Sequence, residues 1–310
     1  MKSVPFRGTD LAPFGHRARH LCPSLLFGLR GMAIFILQSS PGEPREEPDL
    51  TEVEYARERS PLRTERPEVV RLFVFGGPEI FAVEGARLEA LMRQAKRFAI
   101  LIYLASAKGG RPVRREELLT TFWPEADEHH ARNALRQSLF FIRKEVGPGV
   151  LAGNRTPAVW VDQNLLRSDV SAFSQAQKEG ALEAALKLYR GPFLQDFHVP
   201  EAPRFGFWVE ERRAHFRDTA ASAAQELARI AESREDLSRA VRWWRRTLEL
   251  RPFDQGVLRR IMTLLAESGQ REAALAELTE YQLRVQTGSG AKPSKDTMQL
   301  ASEISAGGIN

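Results

Sequence analysis

The segment ARNALRQSLFFIRKEVG, which runs from Ala131 to Gly147, combines residue types that bind nucleic acid with the spacing of a helix. Four apolar residues recur at helical spacing and predict a buried face: Leu135, Leu139, Ile142 and Val146. The polar face carries Arg132, Asn133, Arg136, Gln137, Arg143 and Lys144. Such side chains can pair with base edges or hold phosphates. The segment therefore predicts either a helix that enters a DNA groove or an amphipathic helix with a solvated face.

The composition indicates ordinary folded domains and a modest positive charge. Of the 310 residues, 43% are hydrophobic, which suffices for buried cores in two domains plus tails. The net charge is +5, and residues 66–163 hold most of the surplus, with 15 Lys and Arg against 11 Asp and Glu. This surplus favours a polyanionic partner only weakly. The single cysteine, Cys22, excludes an intramolecular disulfide and a cysteine-based zinc site, and it fits a reducing, cytoplasmic setting.

Sequence signatures of enzymes are missing. The chain has no G-x-x-x-x-G-K-[ST] phosphate loop, no G-x-S-x-G nucleophile motif, no H-E-x-x-H and no dinucleotide fingerprint. His129 and His130 are neighbours without a cysteine or carboxylate pattern that would suit a metal. Adjacent acids such as Glu116 and Glu117 point to different parts of a helix. We therefore expect neither enzyme activity nor a cofactor.

Residues 1–68 differ in character from the rest of the chain. Leu21–Leu37 is mostly apolar, but Pro23 and Arg30 interrupt it, and it is too short to span a bilayer. The basic residues before it lie farther from the first methionine than in a typical secretory signal. A true start at Met32, or a plain disordered tail, is favoured over a signal or an anchor. Residues 39–68 are rich in Pro, Glu, Arg and Ser, and this composition predicts a flexible leader with no membrane partner.

Residues 69–165 follow the element order of a winged helix-turn-helix. Two predicted strands, Val70–Phe75 and Glu79–Val83, precede a helix with a buried stripe of Phe98, Leu101, Ile102 and Ala105. A shorter helix stops at Pro124, and Asp127 can cap the third helix, which is the segment described first. The stretch VLAGNRTPAVWVD then predicts a hairpin. In a winged helix the third helix enters the major groove, and a wing with Arg155 near its tip would lie against the DNA.

The stretch FWPEADEHHARNALRQSLFFIRKEVG resembles the OmpR-type winged helix of SARP-type (antibiotic regulatory protein) transcription activators. The matching positions are Trp123, Pro124, Ala131, Arg132, Asn133, Leu135, Arg136 and Gln137, and Ile142, Arg143 and Lys144 replace the family's Leu-Arg-Arg conservatively. Phe140 and Phe141 depart from the family, which usually has small or basic residues there. An aromatic side chain can contact a thymine methyl group, or it can mark a surface that is buried against another protein.

From Asp169 onward the strand signals disappear and a helical repeat is predicted. AESREDLSRAV, from Ala231, is echoed by AESGQREAAL, from Ala266, at an offset of 35 residues. Tetratricopeptide-like hairpins repeat at about 34 residues. The predicted buried positions are Leu237, Val241, Trp244 and Leu248 in the first unit and Leu275, Leu278 and Leu283 in the second. Of the adjacent tryptophans only Trp243 could be exposed, and core packing is favoured for both.

The helical half also resembles a known domain, the bacterial transcriptional activator domain. Three stretches carry this resemblance: YRGPFLQDF (Tyr189–Phe197), FWVEERRAHFRDTA (Phe207–Ala220) and GAKPSKDTMQL (Gly290–Leu300). The two resemblances follow one another in the family's order and together cover Val70 to Ile304. They imply binding to direct repeats in promoter DNA, self-association as a homodimer through the helical half, and contact with RNA polymerase.

We therefore predict a cytoplasmic, sequence-specific transcription regulator, and an activator in particular. An α+β winged helix-turn-helix at 69–165 is followed by an all-α tetratricopeptide-like domain at 169–306. Base contacts are expected from Arg132, Asn133, Arg136, Gln137 and Phe140, and phosphate contacts from Arg143, Lys144, Arg155, Arg114 and Arg115. The alternative is a protein-interaction adaptor whose winged helix no longer reads DNA, and the two adjacent phenylalanines favour it.

Overall fold

The computed structural model describes residues 69–107, 110–288 and 292–308. The predicted leader (residues 1–68) and the choice of start between Met1 and Met32 lie outside the described residues. Within the described ranges, no helix combines the length and the apolar content that a membrane crossing requires. A small α/β region comes first along the chain, and an all-helical region follows it.

The first sheet of the α/β region has three strands in the order β2-β1-β6. β1 (Val70–Phe73) pairs antiparallel with β2 (Glu79–Phe81) and parallel with β6 (Leu166–Ser168). The two strands predicted here are confirmed, although each ends two residues earlier than expected. β6 has only three residues and was not predicted, because so short a strand shows no alternation that distinguishes it from a loop.

Four helices follow the first hairpin: α1 (Glu89–Met92), α2 (Ala95–Ala105), α3 (Arg115–Phe122) and α4 (Glu128–Val146). The predicted stripe of α2 is buried, and so are Ala99, Ile100 and Leu104 between its members, so most of this helix is surrounded by protein. α4 buries the four apolar residues that its spacing predicts. The opposite face of α4 therefore points away from the core.

A second sheet, in the order β3-β5-β4, lies beside these helices. β4 (Leu151–Ala152) and β5 (Ala158–Val161) form the predicted antiparallel hairpin, and β5 also pairs antiparallel with β3 (Val113–Arg114). β3 immediately precedes α3, so the sheet connects the start of α3 to the hairpin.

Seven helices make up the second half of the described chain. They are α5 (Asp169–Lys178), α6 (Leu182–Leu188), α7 (Pro203–Ser233), α8 (Leu237–Leu250), α9 (Gln255–Glu267), α10 (Arg271–Thr287) and α11 (Lys295–Ser305). α7 packs against α8 and α9 packs against α10. The repeated letters AES mark the end of the first helix in both pairs, at Ala231 and at Ala266. The predicted repeat therefore corresponds to two helical hairpins.

One predicted core position is wrong. Val241, Trp244, Leu248 and Leu278 are buried and Leu237 and Leu275 are half-buried, but Leu283 is 63% exposed. Leu283 follows Leu278 by five residues, which places it about 140° around a helix of 3.6 residues per turn. α10 buries Tyr281 and Val285 instead, three and seven residues after Leu278.

Two hydrophobic cores hold the described residues together. The first contains the α/β region together with α5, α6 and most of α7, and the second extends from the end of α7 to α11. Phe75 shows how the first core is shared, since its ring lies 5.3 Å from that of Phe173 in α5 and 5.2 Å from that of Phe216 in α7. The first core thus crosses the boundary expected between residues 165 and 169. Trp243 is half-buried and packs against both cores.

Candidate nucleic-acid interface

The start of α4 is fixed by a side-chain cap. Asp127 accepts a hydrogen bond from the backbone N–H of His130 at 3.1 Å, as the sequence predicted, and its other carboxylate oxygen contacts the His130 ring. The backbone bond and then the ring bond hold the pKa of the Asp127 carboxyl below its usual value. The cap fixes the residue at which α4 begins, and the buried apolar residues of α4 determine which side chains face outward.

The outward face of α4 carries the residues predicted to read bases. Arg132, Arg136, Gln137 and Phe140 are exposed, Phe140 by 70%, and Asn133 is half-buried. Arg132 pairs with Glu128, and Nη2 of Arg136 donates to Oδ1 of Asn133 at 2.7 Å. Exposed pairs of this kind contribute at most about 1 kcal/mol. A phosphate or a base edge can therefore replace them at little cost.

The turn between β4 and β5 is held in place by Arg115, the first residue of α3. Its Nε donates to the carbonyl oxygen of Thr156 at 2.9 Å and its Nη2 to that of Gly153 at 2.8 Å. Gly153 has φ +85°, and a Cβ there would lie 2.2 Å from the carbonyl oxygen of Ala158, so only glycine fits. This anchoring leaves Arg155 exposed at the tip of the turn.

A groove of about 830 Å³ separates this turn from the start of α4 and from α3. Four arginines line it, Arg115, Arg132, Arg136 and Arg155, against a single carboxylate, that of Glu116. Asn133 lines it as well. The excess of positive charge gives this groove the electrostatics that a sugar-phosphate backbone requires.

Three of the predicted phosphate-binding residues lie outside the groove. Arg114 and Lys144 are exposed, on β3 and in the last turn of α4. Arg143 is half-buried, and its Nε donates to the carbonyl oxygen of Leu151 in β4 at 3.1 Å. Burial, and then the charge of Arg115, lowers the pKa of Arg143. Arg143 therefore ties α4 to the hairpin, as Arg115 ties α3 to its turn.

The adjacent phenylalanines of α4 have different surroundings. Phe140 lies in the exposed face, whereas the ring of Phe141 packs on the first core and lies 4.4 Å from the guanidinium carbon of Arg97. Successive residues of a helix are about 100° apart, so the two rings cannot share one face. Sequence reasoning missed Asn154 and Thr156, which line the groove beside Arg155. Their place in the Gly-Asn-Arg-Thr-Pro turn was the available signal.

Comparison with known families assigns the helical half. Residues 163–305 match the family described as bacterial transcriptional activator domain. Residues 163–305 are therefore similar to a bacterial transcriptional activator domain. This domain begins just before β6 and extends to the last residue of α11. The resemblance of the chain to SARP-type activators is thereby confirmed.

The chain is also similar in fold to a solved structure, that of Mycobacterium tuberculosis EmbR in complex with a low-affinity phosphopeptide. The sequence identity is 19% and the TM-score 0.54, and the alignment covers 76% of this chain and 65% of that one. The aligned 76% of this chain is longer than residues 163–305, so the shared fold extends into the α/β region. The chain spans about two thirds of the length of EmbR (65%), and at this identity the similarity concerns the fold alone. No curated protein matches the sequence.

The described residues offer no site for catalytic metal chemistry. Among them, no three His, Cys, Asp or Glu side chains come together as a metal site would require. His129 lines the basic groove, and His130 is engaged with Asp127. The four arginines and Asn133 that line the groove suit an anionic, hydrogen-bonding partner.

Proposed function

We propose that the protein is a cytoplasmic transcription regulator that binds promoter DNA through residues 69–165, acting as an OmpR-type winged helix. In this proposal α4 enters the major groove and the β4–β5 turn is the wing. One observation carries it: the exposed polar face of α4 meets the anchored turn across a groove lined by four arginines. The activator domain and the fold similarity to EmbR support the same assignment.

The roles within the interface follow from exposure and hydrogen bonding. Arg132, Asn133, Arg136 and Gln137 read base edges near the start of α4, and Phe140 contacts a thymine methyl group. Arg155, Lys144 and Arg114 hold phosphates. Arg115 and Arg143 act chiefly by positioning the wing, and their charge adds to the attraction for DNA.

The activator domain supplies the regulatory output in this proposal. Its tetratricopeptide-like hairpins contact RNA polymerase and mediate self-association, which would place two copies on direct repeats of promoter DNA. These three properties come from the resemblance to SARP-type activators, and the match of residues 163–305 to the activator-domain family supports that resemblance.

Binding of the full chain to duplex DNA tests the proposal. The gene's own upstream region is compared with a scrambled duplex over a series of salt concentrations. Replacing Arg132 and Arg136 together by Ala should weaken binding to the upstream region by at least about tenfold, since each good base contact contributes about 1–3 kcal/mol. The matched control replaces Arg229 and Arg234, two exposed arginines at the end of α7, and should bind like wild type.

Other outcomes would redirect the assignment. Equal binding to both duplexes with a steep salt dependence would indicate DNA binding without sequence choice. Unchanged DNA binding in the Arg132 and Arg136 double variant would favour the adaptor, for which the 70% exposure of Phe140 is the specific support. Circular dichroism of both variants must match wild type, because the comparison requires an intact fold.

A further inference from the structure

A second polar cavity, separate from the basic groove, lies where the α/β region meets the activator domain. Its volume is about 310 Å³, near the lower end of about 300–1,000 Å³ for small-molecule sites. The end of α2, one side of α5 and the middle of α7 form its walls. Ser106, Ser171, Ser174, Lys178, Arg212 and His215 are its chief polar residues.

The charges around this cavity have one sign. None of its lining residues is an aspartate or a glutamate, whereas Lys178 and Arg212 contribute two cations. Among the described residues neither cation has a carboxylate partner. Lys178 is exposed at the end of α5, and Arg212 is half-buried on α7. Serine hydroxyls beside two cations form a set of donors that suits a small oxyanion.

Arg212 is held in position without being neutralised. Its Nε is shielded from solvent and has no hydrogen-bond acceptor among the described residues. Its guanidinium carbon lies 5.6 Å from the centre of the Trp208 ring. A buried donor without an acceptor costs free energy, so a native structure that retains one calls for an explanation such as a bound ion.

Arg213, the next residue of α7, differs from Arg212 because its guanidinium has hydrogen-bond acceptors. Arg213 pairs with Glu210 at 2.6 Å and donates to the carbonyl oxygens of Phe193 and Leu194. Farther along the activator domain, Arg260 pairs with Glu232 at 2.6 Å. Arg213 and Arg260 thus have carboxylate partners. Among the described residues Arg212 has none, and no hydrogen bond satisfies its buried Nε. Nη2 of Arg143 is also buried without an acceptor, but Nε of Arg143 is bonded to Leu151.

We propose that this cavity binds a small phosphate-bearing anion, with Arg212 and Lys178 as its charged partners and the serine hydroxyls completing its hydrogen bonds. Such a ligand would touch α2, which packs against α4, and also α5 and α7 of the activator domain. It would thus bridge the DNA-facing region and the activator domain. The cavity does not include the residues proposed to bind DNA, so the two proposals stand or fall separately.

Thermal unfolding of the full chain with inorganic phosphate tests the site, with sodium chloride keeping the ionic strength constant. Wild type should show a saturable rise in Tm, because a ligand that binds only the folded state stabilises it. Arg212→Gln should weaken the apparent phosphate affinity by at least about tenfold, as loss of a charged hydrogen-bond partner does. Lys178→Gln should weaken it as well and is the safer variant, since its side chain is exposed.

Three controls make the result decisive. Arg229→Gln removes an exposed arginine of α7 outside the cavity and should respond like wild type. The variant with Ala at both Arg132 and Arg136 should also show the rise in Tm with phosphate. If this variant lost the rise, the phosphate would bind in the DNA-facing groove, and the proposal would be overturned. Glycerol 3-phosphate in place of phosphate distinguishes a phosphorylated metabolite from the free ion. No saturable rise with either compound, or an equal rise with acetate, would refute a phosphate site.

Discussion

Asp169 provides a direct test of how the α/β region is joined to the activator domain. Its side chain is only 2% exposed at the start of α5. It accepts hydrogen bonds from the backbone N–H of Val74 at 2.9 and 3.0 Å and from that of Phe75 at 3.0 Å, just beyond β1. Asp169→Ala leaves both N–H groups of this junction without an acceptor, and it also removes the bond that the N–H of Val170, inside α5, donates at 2.9 Å. At about 1–3 kcal/mol for each group, the free energy of unfolding should fall by about 2–6 kcal/mol.

Two companion variants establish the cause of that loss. Asp169→Asn keeps one carbonyl oxygen but replaces the other oxygen with an amide group that cannot accept, so we expect a loss of about 1–3 kcal/mol. Asp296→Asn changes an exposed aspartate in the first turn of α11 and should alter stability by less than about 0.5 kcal/mol. Urea unfolding followed by circular dichroism and tryptophan fluorescence gives the midpoint and the slope m for each variant.

The ranking of the three variants decides whether the reasoning is correct. If Asp169→Ala stays within about 1 kcal/mol of wild type, the two N–H groups do not depend on this carboxylate. Transitions that separate between the two probes would show that unfolding is not two-state, which would contradict a single core shared by the two regions. Coincident transitions with a lower midpoint are the result that the shared first core predicts.

Two further variants test bonds that depend on pH. Tyr103 donates to Glu117 at 2.9 Å, and burial followed by this bond raises its pKa to about 12 from 10.0. Tyr103→Phe should lower the free energy of unfolding by about 1–3 kcal/mol below pH 10. This difference should disappear as the pH rises through about 12, where the wild-type tyrosine loses its proton. A difference in urea midpoints that stays constant over this pH range would contradict the prediction. Burial alone would raise the pKa of Glu232, but the hydrogen bonds from Arg260 and Trp244 outweigh burial and lower the pKa. Glu232→Gln should therefore lower the free energy of unfolding by about 1–3 kcal/mol above pH 4.5, and by progressively less as the pH falls through the folded-state pKa. Urea midpoints measured over a series of acidic pH values test this.

The orientation of α4 could be predicted from the sequence because its signals are local. Apolar spacing determined the buried face, and Asp127 marked the first turn. The same 3.6-residue period separates Phe140 from Phe141, so the sequence already implied that only one of them could share the polar face. Phe140 was the one expected there, and the structure adds that Phe141 packs on the first core beside Arg97 of α2.

The roles of Arg115 and Arg143 could not be predicted in the same way. Both donate to carbonyl oxygens of the β4–β5 hairpin, at Gly153 and at Leu151. Whether an arginine reaches a particular carbonyl oxygen depends on how helix and hairpin pack, and residue type and spacing carry no information about that. The sequence analysis grouped these two residues with the phosphate contacts because a sequence gives the charge of an arginine but not the carbonyl oxygen that it contacts in the fold.

The sharing of the first core has the largest consequence for function. The loop of the YRGPFLQDF stretch continues the edge of the α/β region: the N–H of Leu194 donates to the carbonyl oxygen of Val74 at 2.8 Å, and that of Gln195 to the carbonyl oxygen of Gly76 at 2.9 Å. Arg213 braces the same loop from α7. Buried backbone bonds and packed aromatic rings resist bending far more than a solvated linker does. If α4 reads DNA, the position of the activator domain on the promoter is therefore set by this junction.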